Sequence, residues 1–180
     1  MDIRGAVLET GDDRYTKKFG GGRVIHSDVL HVEAGQPGAT LVADLSLDTF
    51  LEPDRFDCII CTQTLHFIYD FSTALQNLRR MLKPGGTLLA TFAGISQVSR
   101  FDMERWGDYW RFTTLSTRRL FDEVFAADHV QLRAYGNVLS SVAFLHGIAA
   151  EELTQEELDY QDPDYQLLIA VRGLKSVTQP

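Results

Sequence analysis

The feature that most constrains this chain is a strand–helix–strand pattern between residues 56 and 92. Phe56-Asp57-Cys58-Ile59-Ile60-Cys61 is a short apolar run of strand length. Phe71, Ala74, Leu75, Leu78, Met81 and Leu82 then recur at helical spacing, with Gln76, Asn77, Arg79 and Arg80 on the opposite face. Lys83-Pro84-Gly85-Gly86 reads as the end of that helix, combining a basic last turn, a proline that cannot continue it and glycines free to take positive φ. Residues 87–92 (TLLATF) read as the next strand. A strand, a crossover helix and a second strand form a right-handed βαβ unit, which places the chain in the α/β class with a parallel sheet.

The remaining elements extend the same plan. Residues 5–10 (GAVLET), 23–32 and 39–43 are apolar runs bounded by Gly, Pro or Asp, as buried parallel strands are. No helical pattern separates Asp28 from Asp44, and Gly20-Gly21-Gly22 interrupts the stretch before it. A helix is expected from Ser116 through Phe125, followed by a strand at 130–135 and an apolar helix at 138–150. Thr154-Gln155-Glu156-Glu157 has the capping-box pattern of one more short helix. Asp162-Pro163-Asp164 makes a turn into a last strand at 166–171. Residues 93–115 show no clear period yet carry Phe101, Trp106, Tyr109, Trp110 and Phe112, the composition of a binding loop or lid. With 180 residues and no visible linker, a single domain is expected.

Composition removes several functions. A net charge of -8, with no Lys/Arg run longer than two, argues against a nucleic-acid partner. The longest mostly apolar stretch, 138–150, is too short to span a bilayer, and Met1 leads almost directly into the first strand rather than into a leader peptide. A cytoplasmic protein without membrane contact is expected. Cys58 and Cys61 form a C-x-x-C, but three residues apart on a strand they point to opposite faces and cannot share a metal or a disulfide. By the same alternation His26 and Asp28 share one face while His31 and Glu33 share the other, so no metal site is expected.

Five segments together resemble the class I S-adenosylmethionine-dependent methyltransferases, in particular the small type 11 group. They are Val7-Leu8-Glu9-Thr10-Gly11, Ala43-Asp44-Leu45, residues 56–66 (FDCIICTQTLH), residues 82–89 (LKPGGTLL) and Asp108-Tyr109-Trp110-Arg111-Phe112-Thr113. The resemblance implies a Rossmann-like three-layer sandwich, with a seven-stranded, mostly parallel sheet whose last strand is antiparallel. It implies S-adenosyl-L-methionine as cofactor, lying across the strand ends near the switch point. The chain departs from the family in its first turn, where only the first glycine of E-x-G-x-G-x-G is present, and in starting almost at strand one. The N-terminal helices that cap the family's substrate side are therefore expected to be missing, which leaves that side to a homodimer or a companion domain.

Read through the resemblance, the cofactor would be bound by Glu9, Gly11 and Asp12 in the first turn. Asp28 would take the ribose hydroxyls, with Glu33 as the competing acid. Asp44 and Leu45 would lie at the adenine, and Thr62 and Gln63 would follow strand four. His66 is the candidate general base. Trp106, Tyr109 and Arg111 would hold a small-molecule acceptor, for which a sugar-like hydroxyl suits stacking faces interleaved with hydrogen-bonding groups. The function implied is methyl transfer to that acceptor. A second reading, motivated by the reduced glycine turn, is a non-catalytic module of the same fold acting in protein interaction or pairing. A dinucleotide-binding oxidoreductase needs G-x-G-x-x-G after strand one, which Gly11-Asp12-Asp13-Arg14-Tyr15-Thr16 does not supply.

Overall fold

A computed structural model describes residues 2–47 and 51–177. Seven strands, β1 (Gly5–Thr10), β2 (Val24–His31), β3 (Leu41–Val42), β4 (Phe56–Thr62), β5 (Leu82–Ala93), β6 (Val130–Tyr135) and β7 (Leu168–Leu174), form one sheet. Its order is β3-β2-β1-β4-β5-β7-β6. All neighbours pair in parallel except β7, which runs antiparallel to both β5 and β6. The direction of winding reverses between β1 and β4, which makes that crevice the topological switch point. Seven strands with an antiparallel β7 bear out the architecture expected from the sequence.

One face of the sheet is packed by helices. Helix α1 (Phe71–Met81) begins at Asp70, whose side chain accepts from the Thr73 N–H. It buries Leu75, Leu78 and Met81 against Leu8, Ile59, Leu88 and Phe92. Helix α3 (Thr114–Asp122) starts with a capping box between Thr113 and Ser116 and adds Phe121. A run of rings, Phe71–Phe112–Phe92–Phe121–Phe125, passes through this layer with centroids 4.9–5.9 Å apart. The other face holds a smaller cluster of Ile3, Val7, Cys58 and Ile60. Turns rather than α-helices follow β1: a π turn (Thr16–Gly20) and a 3-10 turn (Gly21–Arg23). Between β2 and β3 the chain is irregular, as the sequence implies. Cys58 and Cys61 belong to clusters on opposite faces, and both thiols are free.

Several boundaries differ from expectation: β3 is only Leu41–Val42, and the helix expected at 138–150 ends at His146, where Gly147 turns left-handed. β5 starts at Leu82, directly after α1, so Lys83-Pro84-Gly85-Gly86 is a bulge inside the strand rather than a loop before it. Phe56 pairs with Leu82 and Cys58 with Thr87, so four residues of β5 lie opposite one of β4. Pro84 needs no ladder bond there, Gly85 takes φ +77°, and Lys175 pairs with the backbone of Gly85 and Gly86. Helix α3 starts two residues before Ser116, which is the box partner and not the cap. β7 begins at Leu168, two residues later than expected, although the Gln166 and Leu167 backbones already bond to Ile95, Gly94 and Tyr135. Short helices α2 (Arg100–Met103), α4 (Val138–His146) and α5 (Gln155–Asp159) complete the chain, α5 with the expected Thr154/Glu157 box. No helix among the described residues is long and apolar enough to cross a membrane.

Candidate functional site

The carboxyl ends of β1 and β4 meet at the switch point, where Thr10 Oγ1 and Thr64 Oγ1 lie 2.8 Å apart. Gly11 leaves β1 at φ +85°, and no atom lies within 4 Å of where its Cβ would be. This turn therefore needs glycine for its backbone and offers open space beside it. On the β4 side Gln63 adopts φ +48°, an uncommon conformation for a residue with a side chain. Its N–H donates to the Thr91 carbonyl at the end of β5. Gly11, Thr62 and Gln63 are thus brought together at one edge of the sheet. The Thr10–Thr64 pair was missed, although hydroxyls at both strand ends were its signal.

Glu9 is 1 % exposed. Its carboxylate accepts from the N–H groups of Tyr15 (2.9 Å) and Thr16 (2.8 Å) and from the Thr16 hydroxyl (2.7 Å). An anion here satisfies the orphan donors of the π turn, so Glu9 holds the turn rather than facing a ligand. Asp12 is exposed and paired with Arg14 at 2.9 Å. Asp44 follows β3 and accepts from the N–H and hydroxyl of Ser46. Leu45 is buried, and its carbonyl is held by Asn77 Nδ2 of α1 at 2.9 Å.

The expectation for Asp28 is corrected. Asp28 lies three residues before the end of β2 and is 5 % exposed, so it does not reach the strand edge. It accepts from Thr40 Oγ1 at 2.7 Å and pairs with His26 Nε2 at 3.0 Å and with Arg55. Burial pushes its carboxyl up, but the Thr40 hydroxyl, His26 and Arg55 outweigh burial and hold it below the usual range. The acid at the strand end is Glu33, two residues past β2. Its N–H donates to His31 Nδ1, and its carboxylate takes Gln36 Nε2 at 3.2 Å.

His66 sits in a 3-10 turn (Leu65–Phe67) just beyond β4 and is 6 % exposed. Burial pushes its imidazole below the ordinary 6.5, with Asp108 pulling the other way. Its Nδ1 is buried and has no hydrogen-bond partner. The segment after β5 folds back over this turn, since the N–H groups of Tyr109 and Trp110 both donate to the His66 carbonyl. Asp108 anchors that return. Its side chain is 1 % exposed and binds Arg111 at 2.5 and 2.9 Å and the Ser99 N–H at 3.0 Å. Arg111 also donates to the Gln97 and Trp110 carbonyls, which makes it a clamp on its own loop. Tyr109 is half-exposed, edge-on to Tyr69 at 5.4 Å. The half-buried Trp106 lies 6.1 Å from His31 and 6.3 Å from Phe67, ring to ring. Among the described residues no group of three or more His, Cys, Asp or Glu side chains is placed to hold a metal.

Comparison with known proteins bears on the fold. A family model for the methyltransferase domain matches residues 14–90. No curated protein matches the chain. Among solved structures, an S-adenosylmethionine-dependent methyltransferase from Mesorhizobium loti is 15% identical over 97% of this chain and 93% of its own, with a TM-score of 0.61. Phosphoethanolamine N-methyltransferase 2 of Haemonchus contortus, solved with S-adenosyl-L-methionine, is 14% identical with a TM-score of 0.61. That match covers 98% of this chain but 50% of the Haemonchus protein. The chain thus has the fold of these solved methyltransferases, and its residues 14–90 match the methyltransferase domain model.

Proposed function

We propose that the protein transfers a methyl group from S-adenosyl-L-methionine to a small-molecule acceptor, with a sugar-like hydroxyl as the acceptor group. The observation that carries this reading is the switch-point crevice itself. An open Gly11 turn, a pair of strand-end threonines and the strained Gln63 converge there, in the strand order of the methyltransferase fold. The space beside Gly11 fits a cofactor that must approach the backbone closely. In this assignment the backbone of Gly11 and Asp12 and the polar groups of Thr62 and Gln63 hold the methionine end. Glu33, in place of Asp28, receives the ribose hydroxyls, and Asp44 with the backbone of Leu45 meets the adenine.

When bound, the cofactor supplies a sulfonium methyl that is already electrophilic. The protein has chiefly to align the acceptor, and positioning can be worth about 7–11 kcal/mol. Tyr109 offers a ring face and hydroxyl for the acceptor, on a segment kept in place by the Asp108–Arg111 pair. His66 is kept unprotonated at neutral pH by its burial, so its orphaned Nδ1 can take a proton from a hydroxyl held against it. The test is calorimetric titration with S-adenosylmethionine, S-adenosylhomocysteine and NAD. Binding of the two sulfur ligands without NAD supports the proposal. Failure of both at millimolar concentration rejects it.

A further inference from the structure

Trp106 is seated in an unusual place for a loop tryptophan. His31 is the last residue of β2, and Phe67 lies five residues beyond the end of β4. In the sheet those two strands are separated by β1, so they stand about 10 Å apart at the usual strand spacing of about 4.8 Å. The Trp106 ring centroid lies 6.1 Å from that of His31 and 6.3 Å from that of Phe67, so the indole bridges the end of β2 and the turn beyond β4, the two elements that flank the end of β1. That is the mouth of the β1/β4 crevice, where ligands of open α/β sheets bind. The segment reaches there from β5, crossing the His66 turn on the way back.

The seat is imperfectly matched to an indole. Trp106 Nε1 is buried with no hydrogen-bond partner, whereas buried indole N–H groups usually find one. His66 Nδ1, also orphaned, belongs to a ring 3.9 Å from the same Phe67. The Asp108–Arg111 pair ties both ends of the segment, Asp108 at the Ser99 N–H and Arg111 at the Gln97 carbonyl, while the side chains of Phe101 and Met103 on the intervening α2 are exposed. Gly107, next to Trp106, sits at φ +95°.

We propose that the Trp106 indole is a removable plug of the cofactor crevice, closing it in the free protein and leaving it when S-adenosylmethionine or S-adenosylhomocysteine enters. This rests on the cofactor reading above. A plug seated in about nine of ten molecules weakens apparent affinity about tenfold, because only the open fraction binds. The chain has two tryptophans, so W110F isolates the fluorescence of Trp106. Titrating W110F with S-adenosylhomocysteine should shift its emission to the red and raise its quenching by acrylamide. In calorimetry W106A should bind the same ligand about tenfold tighter than the unaltered protein. Equal affinities with an unchanged spectrum overturn the plug and leave the cofactor reading standing. Weaker binding by W106A overturns it as well, since Trp106 would then be a ligand contact. Absence of binding by both proteins at millimolar ligand overturns the cofactor reading and the plug together. The W110F spectrum keeps Trp106 in place, so it decides the matter even if W106A folds poorly.

Discussion

The two faces of the sheet are held by different physics. One is a conventional core, where α1 and α3 bring Leu75, Leu78, Met81 and Phe121 against Leu8, Ile59, Leu88 and Phe92. The other has a small apolar cluster around Val7, Cys58 and Ile60. Beyond it, over β5, β7 and β6, lies an open groove of about 300 Å³ lined by Leu89, Thr91, Gln131, Arg133, Ala170 and Arg172 among others. Polar ties do on this side what helices do on the other. Glu9 caps the π turn, and Asp2 binds Arg172 of β7 at 2.9 Å. Burial of side chains is not directional, whereas these ties depend on single atoms. The first face should therefore lose stability with volume, and the second with individual partners.

The largest expected effect is on the packed face. Phe92 is fully buried and touches the rings of Phe112 and Phe121. Phe92→Ala should cost about 3–5 kcal/mol in urea unfolding. Leu89→Ala, three residues earlier on the same strand but lining the open groove, should cost less than about 1 kcal/mol. Equal losses would mean that the groove is covered in solution.

Asp28 tests a single polar tie within the packed face, where it lies in register with Leu8 and on the same side as Leu30. Removing its carboxylate leaves the Thr40 hydroxyl, His26 and Arg55 without their shared acceptor, so Asp28→Ala should cost about 1–3 kcal/mol. Because Asp28 does not reach the strand edge, S-adenosylhomocysteine affinity in calorimetry should be unchanged. Glu33→Ala should instead weaken it at least tenfold, the equivalent of about 1.4 kcal/mol. The reverse pattern would return the ribose to Asp28 and undo its assignment to the scaffold.

The difference between the faces also decides what could be read in the sequence. The helical period of Phe71 to Met81 and the short apolar strands are local patterns, so the βαβ unit and the sheet were legible. Glu9 and Asp28 were placed in the right elements, but their partners are seven to twenty-seven positions away (Thr16, Thr40, Arg55), and spacing on one strand carries no trace of them. Counting from the strand end rather than from Glu9 would have favoured Glu33. The bulge at 83–86 was hidden for a similar reason, since its ladder partner is Lys175. The aromatic content of residues 93–115 did mark a functional loop; that Trp106 reaches β2 is a long-range fact.

A smaller effect is expected from His66. Its folded-state pKa is depressed by burial, so below 6.5 the unfolded chain takes up a proton that the folded protein refuses. Stability is thus full above pH 6.5 and falls as the pH drops, by no more than about 1.4 kcal/mol over the first unit. Urea midpoints at pH 8 and pH 5.5 should show this decline, and His66→Gln should flatten it. A decline identical in the variant would assign it to other groups.

The finest test compares the faces through one residue type. Cys58 and Cys61 are both fully buried on β4, Cys58 beneath the smaller cluster and Cys61 in the main core. Burial pushes their thiols up to about 12 and about 11 respectively, so neither reacts without an opening event. Alkylation of the native protein at pH 8, followed by mass spectrometry, should therefore be slow at both. Opening of the turns over Ile3 and Val24 should suffice to expose Cys58, whereas Cys61 needs α1 to leave the sheet. Cys58 should then be modified first, and its rate should respond less steeply to urea than that of Cys61. Acidity cannot produce this order, because the higher native pKa belongs to Cys58. If Cys61 reacts first, or both react together with the urea dependence of global unfolding, the two faces open as one unit and the turn-covered side is no weaker than the helical one.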